Sequence, residues 1–475
     1  MSETPQKNTP KQRTKRATNT AHHSRKPSKH VKAATGLEAR SVALELTSAV
    51  LHRGQSLDEA LTRVYSEDTH GKTRISDPRD RGFARLLATT VLRRHGQLEA
   101  IVSGHLAKPL PSSGRHAHLI LLQGAAQLLF LGAAPHAVIN TAVELSRQQR
   151  SSARFAGLIN AVLRRIAENG QKALETSNAD SLNIPDWMFK RWSAAYGENT
   201  AHAIASASLN EPTLDITVRD HPQDWAKKLD GIILSTGTIR RKTDGRIEAL
   251  PGFADGQWWI QDTAAALPAH LLGNVTGKRV ADLCAAPGGK TAQLASAGAQ
   301  VLALDISEMR LLRVRENFQR LGLESELVAG DAATWRTDRP FDAVLIDAPC
   351  SVTGTIRRHP DILHLKRPED IAKLSKLQSA ILDNAATHLL RPDGMLVYCT
   401  CSMEPEEGEE QIDNFLSRHA GFERVPIHAS EMGNLSECIT PSGDVRTMPH
   451  QLHLEETPEL SGLDGFFISR LRRKS

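Results

Sequence analysis

Two short segments set thiols beside an acid: Asp347-Ala348-Pro349-Cys350-Ser351 and Cys399-Thr400-Cys401-Ser402. Each closes a run with strand character, 341–347 and 394–399. In open α/β sheets, ligands meet the residues beyond the carboxyl ends of strands. A thiolate there can add to C6 of a pyrimidine, which turns the unreactive C5 into an enamine carbon able to attack the methyl of a sulfonium donor. That chemistry needs an acid to hydrogen-bond N3 and absorb the developing charge, the role expected of Asp347. Residue chemistry alone leaves Cys350 and Cys401 as equal candidates for the nucleophile. Most free thiols fill cores, and Cys284 and Cys438 are read that way. Zinc is the competing use of the thiols, but Cys399-x-Cys401 with Cys350 lacks a well-spaced fourth ligand, so no metal is expected.

A second set of residues suits an adenosine-containing ligand. The strand at 279–284 runs into Asp282-Leu283-Cys284-Ala285-Ala286-Pro287-Gly288-Gly289-Lys290-Thr291, where small residues and two glycines let the backbone approach a ligand at a helix N-terminus. The strand at 300–305 ends in Asp305, spaced to accept hydrogen bonds from both ribose hydroxyls. The strand at 324–328 leads to Asp331, placed to meet an adenine edge. Combined with the need for a sulfonium, this points to S-adenosyl-L-methionine. Gly289-Lys290-Thr291 also matches the end of a phosphate-binding P-loop, but Cys284 stands where that loop needs glycine. The dinucleotide fingerprint G-x-G-x-x-G is absent, which weakens a dehydrogenase reading.

Helical segments at 291–296, 309–321 and 371–390 separate these strands, the pattern of a parallel sheet covered on both faces from residue 278 onward. Residues 171–277 read as a small connecting α/β domain, with a helical stretch opening at Ile184-Pro185-Asp186-Trp187 and a strand at 215–219. Trp258-Trp259-Ile260 suits a core position better than a base-stacking surface. Residues 38–170 repeat apolar positions at helical spacing without strand signals, and 118–131 reads as a central buried helix followed by another over 137–145.

The 475 residues are 40% hydrophobic and 24% charged. No apolar run is long enough to cross a bilayer. Five cysteines are too few for a disulfide framework, so a cytoplasmic setting is expected. Residues 1–34 hold nine Lys or Arg, among them Lys15, Arg16, Arg25 and Lys26, against the single acid Glu3. Net charge is +5 overall, so the rest of the chain is net acidic. Residues 1–37 are expected to form a disordered basic tail, either a phosphate-binding arm or a plain solvated extension. The start lacks the apolar core of a secretory signal, and an Arg-rich organellar leader is the alternative to a cytoplasmic start.

Asp282 to Thr291, Asp347-Ala348-Pro349-Cys350, Arg357-Arg358-His359-Pro360-Asp361, Thr400-Cys401-Ser402, Pro405-Glu406-Glu407 and Asp464-Gly465-Phe466-Phe467 together resemble the Sun/Fmu (RsmB/NOP) family of bacterial 16S ribosomal RNA cytosine-5 methyltransferases. Leu92-Arg93-Arg94, Gln127-Leu128-Leu129-Phe130, His136-Ala137-Val138-Ile139-Asn140 and Asn160-Ala161-Val162-Leu163-Arg164-Arg165 resemble the RNA-binding helical domain of the antitermination factor NusB. The resemblance spans roughly residues 38–473. It implies a multidomain chain: an all-α NusB-like domain, a small α/β domain, and a Rossmann-like class I methyltransferase sheet over 278–475. It further implies Cys401 as nucleophile and Cys350 as the thiol assisting product release. Cys284 to Lys290 would line the methionine and ribose of the donor, with Asp305 on the ribose, Asp331 near the adenine and Asp347 at the reacting base. Cys399 departs from the family, which has a smaller residue there; strand alternation points it to the side of Cys401, and packing is favoured over an adventitious disulfide. The expected partner is RNA, either 16S rRNA or an early small-subunit particle, met by a monomer. The competing class is a nonenzymatic RNA-binding factor with an inactive catalytic domain, against which Asp347, Cys350 and Cys401 all argue.

Overall fold

A nearly continuous apolar run organises the N-terminal third. The computed structural model of the chain describes residues 36–65, 75, 77–243 and 245–475; of the tail expected over 1–37, residues 1–35 lie outside the described residues, while Gly36 and the buried Leu37 open the first helix. The first eight helices are α1 (Leu37–Arg53), α2 (Leu57–Tyr65), α3 (Pro78–Arg93), α4 (His95–Gly104), α5 (Arg115–Leu129), α6 (Pro135–Gln148), α7 (Arg150–Ala153) and α8 (Ala156–Glu175). Residues 119–127 of α5 are all buried, which is the fate of a helix that is apolar on every side. Helices α1, α3, α4, α6 and α8 pack around it. Proline occupies the first helical position of α3 and α6, where its fixed φ suits the turn and its missing N–H costs nothing.

Three helices follow, α9 (Ala179–Asn183), α10 (Asp186–Tyr196) and α11 (Glu198–Ser208), then a small antiparallel sheet. Its strands are β1 (Leu214–Val218), β2 (Ile232–Ile233), β3 (Ile239–Arg241) and β4 (Trp258–Ile260), ordered β2-β3-β1-β4, with α12 (Pro222–Lys228) between β1 and β2. The strand expected at 215–219 is thus displaced by one residue. Trp258 and Trp259 are buried, so this pair belongs to the core and not to a stacking surface.

After α13 (Thr263–His270) comes the large sheet: β5 (Arg279–Leu283), β6 (Gln300–Asp305), β7 (Glu326–Ala329), β8 (Phe341–Asp347), β9 (Leu390–Thr400), β10 (Phe422–Arg424), β11 (Val445–Thr447) and β12 (Phe466–Arg473). Strands β5 to β9 run parallel in the order β7-β6-β5-β8-β9; β12 continues the sheet antiparallel to β9, with β10 and β11 pairing β12. Helices α14 (Gly289–Ser296), α15 (Glu308–Leu321), α16 (Ile362–Leu365), α17 (Pro368–Asn384) and α18 (Glu409–Arg418) fill the crossovers and flanks. Strand β9 starts four residues earlier than the expected Gly394: Leu390 pairs with Phe341 and Met395 with Ala343, so residues 391–394, which include the turn-like Pro392-Asp393-Gly394, bulge out of β9 opposite the single residue Asp342. Helix α17 ends six residues short of the expected 390, giving way to a wider π turn over Ala385–Leu389.

Alternation along the strands divides the side chains between two cores. Leu283, Ile346 and Tyr398 face one core, whereas Val280, Leu345, Val397 and Cys399 face the other. Asp282, Asp347 and Cys399 therefore share a face, the one covered by α13 and α14. Residues 36–475 form one compact unit, and no described helix is long and apolar enough to cross a membrane.

Candidate active site

The loops after β8 and β9 run side by side and bring the two thiols together. Cys350 Sγ lies 3.4 Å from Cys401 Sγ. Hydrogen bonds lace the loops on either side of this contact: the Ser351 and Ser402 hydroxyls are 3.0 Å apart, Gly354 N donates to Cys401 O at 3.0 Å, and Met403 N donates to Thr353 Oγ1 at 3.0 Å. A third segment locks beneath them. Gly465 N donates to Gly354 O at 2.8 Å, so close an approach that a Cβ on Gly354 would stand 1.9 Å from Gly465 O. Cys350 is buried and Cys401 half-buried. Hydrogen bonding to Cys401, which the Cys350 thiol can make as donor, together with burial, raises the Cys350 thiol well above its ordinary value, so Cys350 keeps its proton longer than an exposed thiol. Cys399 is wholly buried, with Sγ 3.5 Å from Asp347 Oδ1, and burial raises its thiol too.

Lys290, expected in the donor loop, points instead to the acid at the end of β8. Its Nζ stands 2.8 Å from Asp347 Oδ2. Burial alone would lower this ammonium, but the Asp347 carboxylate outweighs it and holds Lys290 charged. Asp282, fully buried at the end of β5, accepts from Thr291 Oγ1 at 2.6 Å through one oxygen and has no partner for the other among the described residues. Burial pushes its carboxyl up to about 7.

The remaining donor-loop residues surround the carboxyl ends of β5 to β7. Cys284 takes the left-handed conformation at φ 61° and is half-buried against the sheet core, and Ala285 and Ala286 are buried beside it. Cys438 fills the opposite core. Pro287 and Gly288 lead into α14, whose first residue is Gly289; Gly288 sits at φ 98° with Val314 3.0 Å from where a Cβ would be. Asp305 is buried and accepts from Ala286 N at 3.1 Å and Ser307 N at 3.0 Å, with the exposed guanidinium of Arg310 3.2 Å away. Asp331 is exposed and caps the following turn through Ala333 N at 2.9 Å. Beside them, Ile306 and Met309 are 74% and 72% exposed, an apolar pair that nothing among the described residues covers.

Sequence reasoning missed the residues that hold the thiol loops. Buried Glu407 accepts from Ser351 N at 3.0 Å, from the Ser351 hydroxyl and from Gln378 Nε2 at 3.0 Å, while its own carbonyl receives Tyr398 Oη at 2.9 Å and Thr400 Oγ1 at 3.1 Å. One residue thus clamps the loop after β8 to the strand that leads to Cys401. The Arg357–Asp361 motif is a junction. Arg358 bridges Asp262 at 2.6 Å and Asp464 at 2.7 Å, and Arg357 O receives Arg93 Nη2 of the helical bundle at 2.9 Å. A cleft of about 850 Å³ opens above Cys401, walled by Val352 and His359 on one side and by the bundle on the other.

Residues 37–168 match the NusB family, and residues 269–472 match the family described as 16S rRNA methyltransferase RsmB/F. The chain is 36% identical to ribosomal RNA small subunit methyltransferase B of Salmonella arizonae over 92% of its own length and 98% of that relative. It is also 36% identical to the protein of the same name from Klebsiella pneumoniae subsp. pneumoniae, over 92% of this chain and 99% of the relative. The crystal structure of PH0851 shares its fold, with a TM-score of 0.70 and 22% identity, covering 93% of this chain and 99% of that one. Likeness over nearly the whole length, with the family matches falling on the helical bundle and on the sheet that carries the thiols, makes this chain a member of the RsmB/F family of 16S rRNA methyltransferases.

Proposed function

We propose that this enzyme methylates C5 of a cytosine in 16S rRNA, with Cys401 as covalent nucleophile and S-adenosyl-L-methionine as donor. The observation that carries this reading is the 3.4 Å contact between Cys350 and Cys401 beside the Lys290–Asp347 pair. The residues present suit the donor. Asp305 and Asp331 offer carboxylates for the ribose hydroxyls and the adenine edge, Ile306 and Met309 an apolar face, residues 284–290 a close backbone approach at a helix start, and Asp347 negative charge near the cationic sulfur. Asp305 would hold the ribose, and its present partner Arg310 is an exposed side chain that could give way to it. Bound S-adenosyl-L-methionine supplies an electrophilic methyl group.

The thiolate of Cys401 adds to C6 of the cytosine, forming a C–S bond and moving the C5–C6 electron pair toward the ring nitrogen. The Lys290 ammonium gives a proton through the Asp347 carboxylate to N3, leaving Lys290 neutral and Asp347 still a carboxylate, so the charge of the adduct is neutralised as it forms. C5 of the resulting enamine then takes the methyl group. Cys350 keeps its thiol proton while Cys401 is a thiolate at its side; once Cys401 is bonded to carbon, that influence ends and Cys350 ionises more readily. Its thiolate removes the C5 proton, the C5=C6 bond re-forms, Cys401 leaves as thiolate, and the N3 proton returns through Asp347 to Lys290.

Mutating each thiol separates these roles. Cys401→Ala abolishes both methylation and any covalent protein–RNA adduct. Cys350→Ala permits addition and methyl transfer but stalls release, leaving an RNA-linked band on a denaturing gel. An adduct in Cys401→Ala with none in Cys350→Ala would exchange the two assignments.

A further inference from the structure

The cleft above Cys401 has a wall that the catalytic sheet does not supply. Ser56, from the α1–α2 turn of the helical bundle, and Asp58, in the first turn of α2, line it together with His359, Asp361, Lys373 and Cys401. Hydrogen bonds fix this turn in place. Leu57 N donates to Asp361 Oδ2 at 3.0 Å across the boundary. Ser56 N donates to Glu59 Oε2 at 3.2 Å while Glu59 N donates to Ser56 Oγ at 3.3 Å, a reciprocal box that occupies Glu59. Asp58 remains as the turn's outward carboxylate, its side chain 62% exposed and its Oδ2 3.9 Å from His359 Nδ1. Asp361, only 5% exposed, keeps a second carboxylate oxygen without a partner among the described residues.

A carboxylate wall repels phosphates, so this side of the cleft is unsuited to gripping an RNA backbone. Lys366 and Lys373 among the lining residues offer the opposite charge. A carboxylate is matched instead by base edges that present N–H donors, and guanine offers two adjacent ones, N1–H and the 2-amino group. We propose that Asp58 reads the base edge of the nucleotide adjoining the target cytosine, selecting guanine, so that the helical bundle is a specificity element of methyl transfer. This rests on the cytosine-5 reading above.

The test uses the full chain and 16S rRNA fragments whose methylated cytosine has first been located by bisulfite sequencing. Each neighbour of that cytosine is varied among guanosine, inosine and uridine, and single-turnover methylation is measured. Wild-type enzyme should lose about tenfold to a hundredfold when guanosine at one neighbouring position becomes inosine, the loss expected of one hydrogen bond to a charged group. Asp58→Ala should be slowed by a similar factor on guanosine RNA and should no longer distinguish the two, while S-adenosyl-L-methionine affinity by calorimetry stays unchanged. A wild-type enzyme indifferent to both neighbours, or an Asp58→Ala variant that still discriminates like wild type, overturns the proposal. Failure of wild-type enzyme to methylate any cytosine overturns the cytosine-5 reading itself.

Discussion

Asp282 shows how a single side chain sets the pH response of the sheet. Its folded carboxyl lies at about 7, raised by burial above an ordinary 3.8. Below 3.8 both folded and unfolded chains hold the proton and the group contributes nothing to the pH dependence. As pH rises toward 7 the unfolded chain ionises first, so folding is progressively disfavoured, with the full penalty, on the order of a few kcal/mol, present above 7. Asp282→Asn keeps an acceptor for Thr291 and removes the charge. Thermal unfolding should show the variant more stable than wild type at pH 8, with the advantage gone by pH 4; an equal advantage at both would mean that Asp282 is not protonated on folding. At this scale the sequence was informative wherever chemistry concentrates at strand ends, because position alone brings Asp347, Cys350 and Cys401 together. It placed Lys290 in the donor loop but not its pairing with Asp347, which is visible only once β5, whose loop leads to Lys290, pairs with β8.

At the scale of elements, the two thiol loops are held in register by Glu407, which the sequence offers as part of the Pro405-Glu406-Glu407 motif but without a role. Its role comes from tertiary contact with Ser351 and Gln378, which no spacing rule encodes. Cys401, burial and the Glu407 charge all raise the Cys350 thiol. Glu407→Gln should therefore lower stability by about 1 to 3 kcal/mol through a weakened buried network. It should also move the pH dependence of product release to lower pH, measured by decay of the RNA-linked adduct. Unaltered release with lower stability would leave Glu407 a structural residue only. The strands and crossover helices were legible from their periodicity. Their limits were less so: the start of β9 was hidden by a Pro-Asp-Gly that looks like a turn, and the π turn closing α17 leaves no distinct mark in sequence.

For the whole molecule, the helical bundle and the sheet meet through polar contacts, among them Arg93 to Arg357 O and His364 Nε2 to Leu92 O at 2.9 Å. The Arg357–Asp361 motif could be recognised in the sequence as a unit, but its place at a three-way junction depends on segments hundreds of residues apart. The basic residues 1–34 suit nonspecific phosphate binding. Their deletion should flatten the salt dependence of RNA affinity by about 0.7 in log–log slope for each phosphate that the tail neutralises, without moving the methylated cytosine. A shifted site would show that the tail selects sequence.

The position of β12 has a further consequence, for the order in which this enzyme is born. Strand β9, which leads to Cys401, lies between β8 and β12, and the ribosome must extend the chain from Thr400 to Phe466 before the second neighbour exists. Until then β9 is an open edge of mostly apolar residues beside the Cys401 thiol. The glycine contact under the thiol loops also waits, since Gly465 immediately precedes β12. Strands β5 to β8 can assemble during translation, whereas the loop that carries Cys401 is braced only after the last strand has been made, so a nascent chain stalled between these points is exposed to misassembly.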